Sequence, residues 1–173
     1  MTKRKTFISH YHEDAYYKEL FEKLFKDIIV NKSVKPGDIN SNNSDDYTKQ
    51  LIQKEYLKET TVLVVLVGPK TKCRKHVDWE ISGALNYKVG NLYSGLVGIL
   101  LPEHPDYKRP FYNDYNIPER LLTNVKTGYA KIHNWTTNES EMMEIINDTF
   151  YRRKSHANER VNNLPQMREN TCG

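Results

Sequence analysis

Apolar residues along this chain change their spacing several times, and each change predicts an element. The run Thr61-Val-Leu-Val-Val-Leu-Val67 has no polar alternation and is too short for a membrane span. Such a run reads as a parallel strand buried on both faces. Gly68-Pro69 ends it, and Val77, Ile81, Ala84 and Leu85 then recur at helical spacing. Before it, Thr6-Phe-Ile-Ser9 predicts a first strand, followed by a helix to about residue 30 on Tyr17, Leu20, Phe21, Leu24, Phe25 and Ile28. Asn31 to Asp46, with Pro36-Gly37, reads as a loop with space for a very short strand near Ser33-Val34. A helix from Asp46 to about Lys58 follows, capped by Ser44 or Asp45. Tyr93 to Leu101 predicts another interior strand, Pro102 to Asn116 a long loop, Pro118 to Leu122 a short helix, and Gly128 to His133 an edge strand. Ser140, or Asn138 with Glu141 three places on, opens a last helix striped by Met142, Ile145, Ile146 and Phe150.

Strands that alternate with helices imply right-handed crossovers. The expected fold is therefore α/β: a doubly wound, mainly parallel five-stranded sheet with helices on both faces. A single domain over residues 1–154 is expected, with a polar tail over 155–173 that is frayed or ordered only by docking. A length of 173 residues allows one full core and little more.

Charge changes this picture only slightly. The net charge of +4 comes from Lys and Arg scattered among Asp and Glu, so no basic stripe argues for nucleic acid. An anionic small ligand such as a dinucleotide suits it equally. No apolar run reaches membrane-spanning length and the start lacks a secretory pattern, so a cytoplasmic protein away from the membrane is expected. Cys73 and Cys172, far apart in sequence, read as thiols of a reducing cytosol.

Several chemistries fail at their motifs. Ser9-His-Tyr-His-Glu-Asp14 carries no glycine, which excludes a dinucleotide fingerprint after the first strand. Gly68-Pro-Lys-Thr71 is not a phosphate-binding loop, and no Gly-x-Ser-x-Gly turn occurs. His10 and His12 lack a third ligand at zinc spacing, so no metal is expected. Glu80 remains. On a helical wheel it lies roughly 60° from Val77, at the margin of the apolar stripe, and in an open α/β sheet ligands gather beyond the carboxyl ends of the strands. The plain alternative is a surface glutamate paired with Lys75 or His76.

Phe7-Ile-Ser9, Thr61 to Gly68, and Thr71-x-x-Arg74-x-x-Val77-x-Trp79-Glu80-Ile81 together resemble the TIR-like family, nearest the bacterial Thoeris anti-phage proteins. The resemblance covers residues 4 to 87 well, and Pro118-x-Arg-Leu-Leu, Gly128-Tyr-Ala and Trp135 more loosely. It implies a flavodoxin-like fold and cleavage of the nicotinamide–ribose bond of NAD, with NAD as substrate and no bound cofactor. The family's catalytic glutamate falls on Glu80. Phe7, Ser9, His10 and Tyr11 are implied at the pocket floor, and Asp45 or Asp46 at its border. His76 stands where many catalytic members carry Trp, and Trp79 directly precedes Glu80; both join the substrate-binding candidates. The implied partners are a separate effector that reads the nucleotide signal, other TIR domains, and a phage-derived trigger. A non-catalytic sensing or assembly module and a nucleoside-processing transferase are the alternatives.

Overall fold

The computed structural model describes residues 2–34, 40, 42–86 and 93–172, and the Pro36-Gly37 part of the expected loop lies outside these. Five strands form one sheet: β1 (Arg4–Ser9), β2 (Ile29–Asn31), β3 (Val62–Val67), β4 (Gly95–Leu100) and β5 (Lys131–Asn134). Their order is β2-β1-β3-β4-β5 and every pairing is parallel. This is the flavodoxin-like doubly wound arrangement. Residue alternation in β3 divides the core. Leu63, Val65 and Val67 meet Ile52 and Leu57, which follow α2 (Asp45–Leu51), together with α3 (Lys75–Leu85) and α4 (Glu119–Thr127) on one face. Val62, Val64 and Leu66 meet α1 (Ala15–Leu24) and α5 (Glu139–Ser155) on the other. All six β3 residues are fully buried, which is why the run contains no polar position.

Several boundaries differ from the sequence expectation, each for a local reason. Helix α1 stops at Leu24, not near residue 30, because Ile28 and Ile29 are drawn into the core at the edge of β1. The second strand accordingly lies at Ile29–Asn31, pairing Arg4 with Ile29, and not at Ser33-Val34. Ser33 instead donates no ladder bond; its Oγ accepts the Ile8 N–H at 2.8 Å. The helix expected over Asp46 to Lys58 is α2, capped by Ser44, continued as a π-helical turn over Ile52–Tyr56. Helix α4 outruns the expected Pro118–Leu122 segment and ends at Gly128, whose φ of 93° suits a residue without Cβ. Strand β5 therefore starts only at Lys131, though it is the edge strand. Asn138 caps α5 by accepting the Glu141 N–H.

The two cysteines correct a second expectation. Cys73 and Cys172 form a disulfide with Cα atoms 5.4 Å apart, across a sequence separation of 99 residues. The segment after α5 is docked: Asn124 both accepts from Val161 N and donates to Val161 O, and Arg120 donates to Asn162 Oδ1 and Pro165 O. No described helix is long and apolar enough to cross a membrane.

Candidate active site

The strand order reverses its direction of growth between β1 and β3, and that is where a doubly wound sheet leaves a crevice. A cleft of about 690 Å³ opens there, lined from the end of β1, the start of α1, α2 and the first turns of α3. Its size falls in the range of small-molecule sites, roughly 300–1,000 Å³.

Glu80 lies on α3 and lines this cleft. Neither Lys75 nor His76 is its partner: Ser9 Oγ donates to Glu80 Oε1 at 2.7 Å. Ser9 is itself fully buried at the last position of β1, opposite Val65, so the sheet fixes the donor that orients the carboxyl. Glu80 is half-buried at the cleft, and desolvation by the protein packed around it pushes its pKa up to about 8. The Ser9 hydrogen bond and the Lys18 charge pull the other way and lose to desolvation. A carboxyl held this close to neutrality is the kind of group that active sites assemble.

Phe7, His10, Tyr11, Asp45 and His76, each a candidate from the sequence, also line the cleft. His10 is pushed down to about 4, first by burial and then by Lys18, so its ring is neutral at pH 7. Tyr11 is buried, with the Arg74 guanidinium 4.4 Å from its ring centroid. Asp45 meets Lys75 Nζ at 3.3 Å across the rim, linking α2 to α3. Two expected residues stand elsewhere. Asp46 is exposed on α2 and does not line the cleft, because one step along a helix turns a side chain by about 100°. Trp79 is buried on the outer side of α3, where its indole N–H donates to Met167 O at 2.8 Å. Lying next to Glu80 in sequence, it faces another way for the same helical reason.

The cleft also holds residues outside the expected site set, Lys18, Arg74, Lys75 and Asn170 among them. Lys18 is buried, paired with Glu22 at 3.2 Å and donating to Val34 O at 3.2 Å. Its i,i+4 relation to Glu22 was the available signal. Arg74 was visible as a position of the family resemblance and Lys75 as a possible partner of Glu80, neither as a cleft residue, and nothing local pointed to Asn170. Among the described residues, no three His, Cys, Asp or Glu side chains converge as a metal site would require.

A flavodoxin-like α/β domain with a half-buried, hydrogen-bonded carboxyl at its switch-point cleft is thus the class that fold and site define. Residues 7–106 match the family described as the Thoeris protein ThsB, TIR-like domain. That match spans more than half of the chain, which belongs to this family. It takes in the end of β1 from Phe7 to Ser9, α2, β3 and α3, and so every cleft residue discussed above except Asn170. No curated protein matches by sequence. Among solved structures, the chain is similar to the TIR domains of the activated Roq1 resistosome directly recognizing the pathogen effector XopQ. That likeness has 12% identity over 87% of this chain and 83% of the other, with a TM-score of 0.41.

Proposed function

We propose that this TIR-like chain consumes NAD, breaking the bond between the nicotinamide nitrogen and the ribose carbon to make an ADP-ribose-derived signal in anti-phage defence. The observation that carries the reading is the Glu80 carboxyl, oriented by Ser9 at the floor of a nucleotide-sized cleft. As the glycosidic bond breaks, its electron pair leaves with nicotinamide, which becomes neutral and needs no general acid. The ribosyl centre left behind is oxocarbenium-like, and a fixed carboxylate stabilises it. In the free protein Glu80 keeps its proton up to about pH 8. The positive charge of a bound nicotinamide ring favours the ionised form, so substrate itself drives Glu80 toward the state that chemistry needs.

Water, a ribose hydroxyl, a ring nitrogen or a second small molecule then captures the ribosyl carbon, giving a hydrolysed, cyclic or conjugated product. The nucleotide would be read by a separate effector protein, and a phage-derived cue or TIR–TIR association would complete the site. The test is mass spectrometry of nucleotides from infected cells carrying the wild type or Glu80→Gln. The expected result is nicotinamide and an ADP-ribose-derived nucleotide in the wild type only, with both proteins folded. Equal product from Glu80→Gln would remove the enzyme reading and leave a sensing or assembly module.

A further inference from the structure

The segment after α5 lies along α3 from its C-terminal end to its N-terminal end. Asn162 Nδ2 donates to Ser82 O at 3.0 Å near the far end. Met167 straddles the middle, its N–H donating 2.8 Å to Asp78 Oδ2 while its carbonyl accepts the Trp79 indole. At the near end Asn170 Oδ1 accepts the Lys75 N–H at 2.9 Å. The residue before α3, Arg74, makes no side-chain cap, so Asn170 supplies from another segment the acceptor that a helix start needs. Three of these contacts fall on residues 75, 78 and 79. They hold the outer side of the turn whose inner side presents Glu80. Thr171 N–H donates to Cys73 O at 3.0 Å, and Cys172 is joined to Cys73.

Residues 161–172 form no helix or strand and are half-buried or exposed, so their hydrogen bonds compete with water. A covalent link at the end makes each re-docking intramolecular. Cys73 is 3% exposed whereas Cys172 is exposed, leaving the bond open to attack from one side.

We propose that residues 161–172 are a strap that positions Glu80 through α3, fastened by the Cys73–Cys172 disulfide and unfastened by a dithiol reductant. One thiolate of the dithiol attacks the Cys172 sulfur and expels the Cys73 thiolate, which takes up a proton. The second thiol then resolves the mixed disulfide, leaving an oxidised dithiol and two protein thiols. Only the catalytic consequence rests on the NAD reading above; the strap itself does not.

The full chain is tested by thiol alkylation and hydrogen-exchange mass spectrometry, with and without dithiothreitol, beside Cys172→Ser. The oxidised protein should show no alkylatable thiol and the reduced protein two. On reduction, exchange should accelerate at least about fivefold in residues 161–172 and in the α3 turn 75–80. Cys172→Ser should match the reduced wild type and ignore reductant. Where nicotinamide release is measurable, kcat should fall by a similar factor in both. Unchanged exchange over 75–80 on reduction, or two free thiols in the unreduced protein with the strap still protected, overturns the proposal. Exchange that responds as stated upholds the strap whether or not nicotinamide is released, and failure of the NAD reading shows separately, as equal product from the wild type and Glu80→Gln in infected cells.

Discussion

Replacing Glu80 with Gln should make this protein more stable while abolishing the proposed nicotinamide release, and the gain should depend on pH in one direction. The folded protein holds the Glu80 carboxyl at about 8 against an ordinary 4.5, chiefly through burial. Between those two values the native state binds a proton that the unfolded chain releases, so stability falls as pH rises through the window. The cost of the glutamate is under about 1 kcal/mol near pH 5 and roughly 3 kcal/mol near pH 7. Gln keeps the acceptor oxygen for the Ser9 hydroxyl and nearly the same volume, so it removes the ionisation without opening a cavity. Urea unfolding of both proteins across this pH range gives the test, read as the difference between them. Taking the difference cancels other titrating groups, such as His10, whose depressed pKa makes stability rise with pH over part of the same window. A stability difference that stays flat with pH, or a variant weaker than wild type near pH 8, would refute the claim that Glu80 is desolvated. Such a result would also weaken its assignment as the reacting carboxyl.

Other positions offer independent checks. Arg120 is 2% exposed and bonds Asp78 at 2.9 Å; Arg120→Met strands that carboxylate, and urea unfolding should show a loss of about 3–5 kcal/mol, part of which Asp78→Asn restores in the double variant. A Cβ at Gly95 would collide with the Thr149 carbonyl, whose carbon would lie 2.8 Å away, so Gly95→Ala should lower the melting temperature with a cost of at least about 2 kcal/mol as β4 and α5 are forced apart. Reducing the Cys73–Cys172 bond frees a loop of 99 residues; chain entropy alone assigns it about 4–5 kcal/mol, so the urea midpoint should fall on adding dithiothreitol and stay put in Cys172→Ser.

Much of the cleft was legible because its residues lie next to strand ends. Phe7, Ser9, His10 and Tyr11 follow from β1 being a buried strand that ends at Ser9, and Glu80 from the helix that follows β3. Trp79 and Asp46 were misplaced because adjacency in sequence does not give the direction of a helical side chain; that depends on what covers each face. The second strand was displaced by a few residues because Ile28 and Ile29 suit a helix stripe and a sheet edge equally well. Only the free edge of β1 chooses between them.

Local pattern alone determined the elements, their alternation and hence the parallel, doubly wound sheet, since burial on two faces leaves its mark on every residue of a run such as Val62–Val67. Tertiary structure decided the rest. It set which hydroxyl meets Glu80, which cation reaches the cleft, and that Cys172 returns to Cys73 across 99 residues. Periodicity records what a residue's own helix or strand requires, whereas a partner distant in the chain imposes no spacing and leaves no local trace.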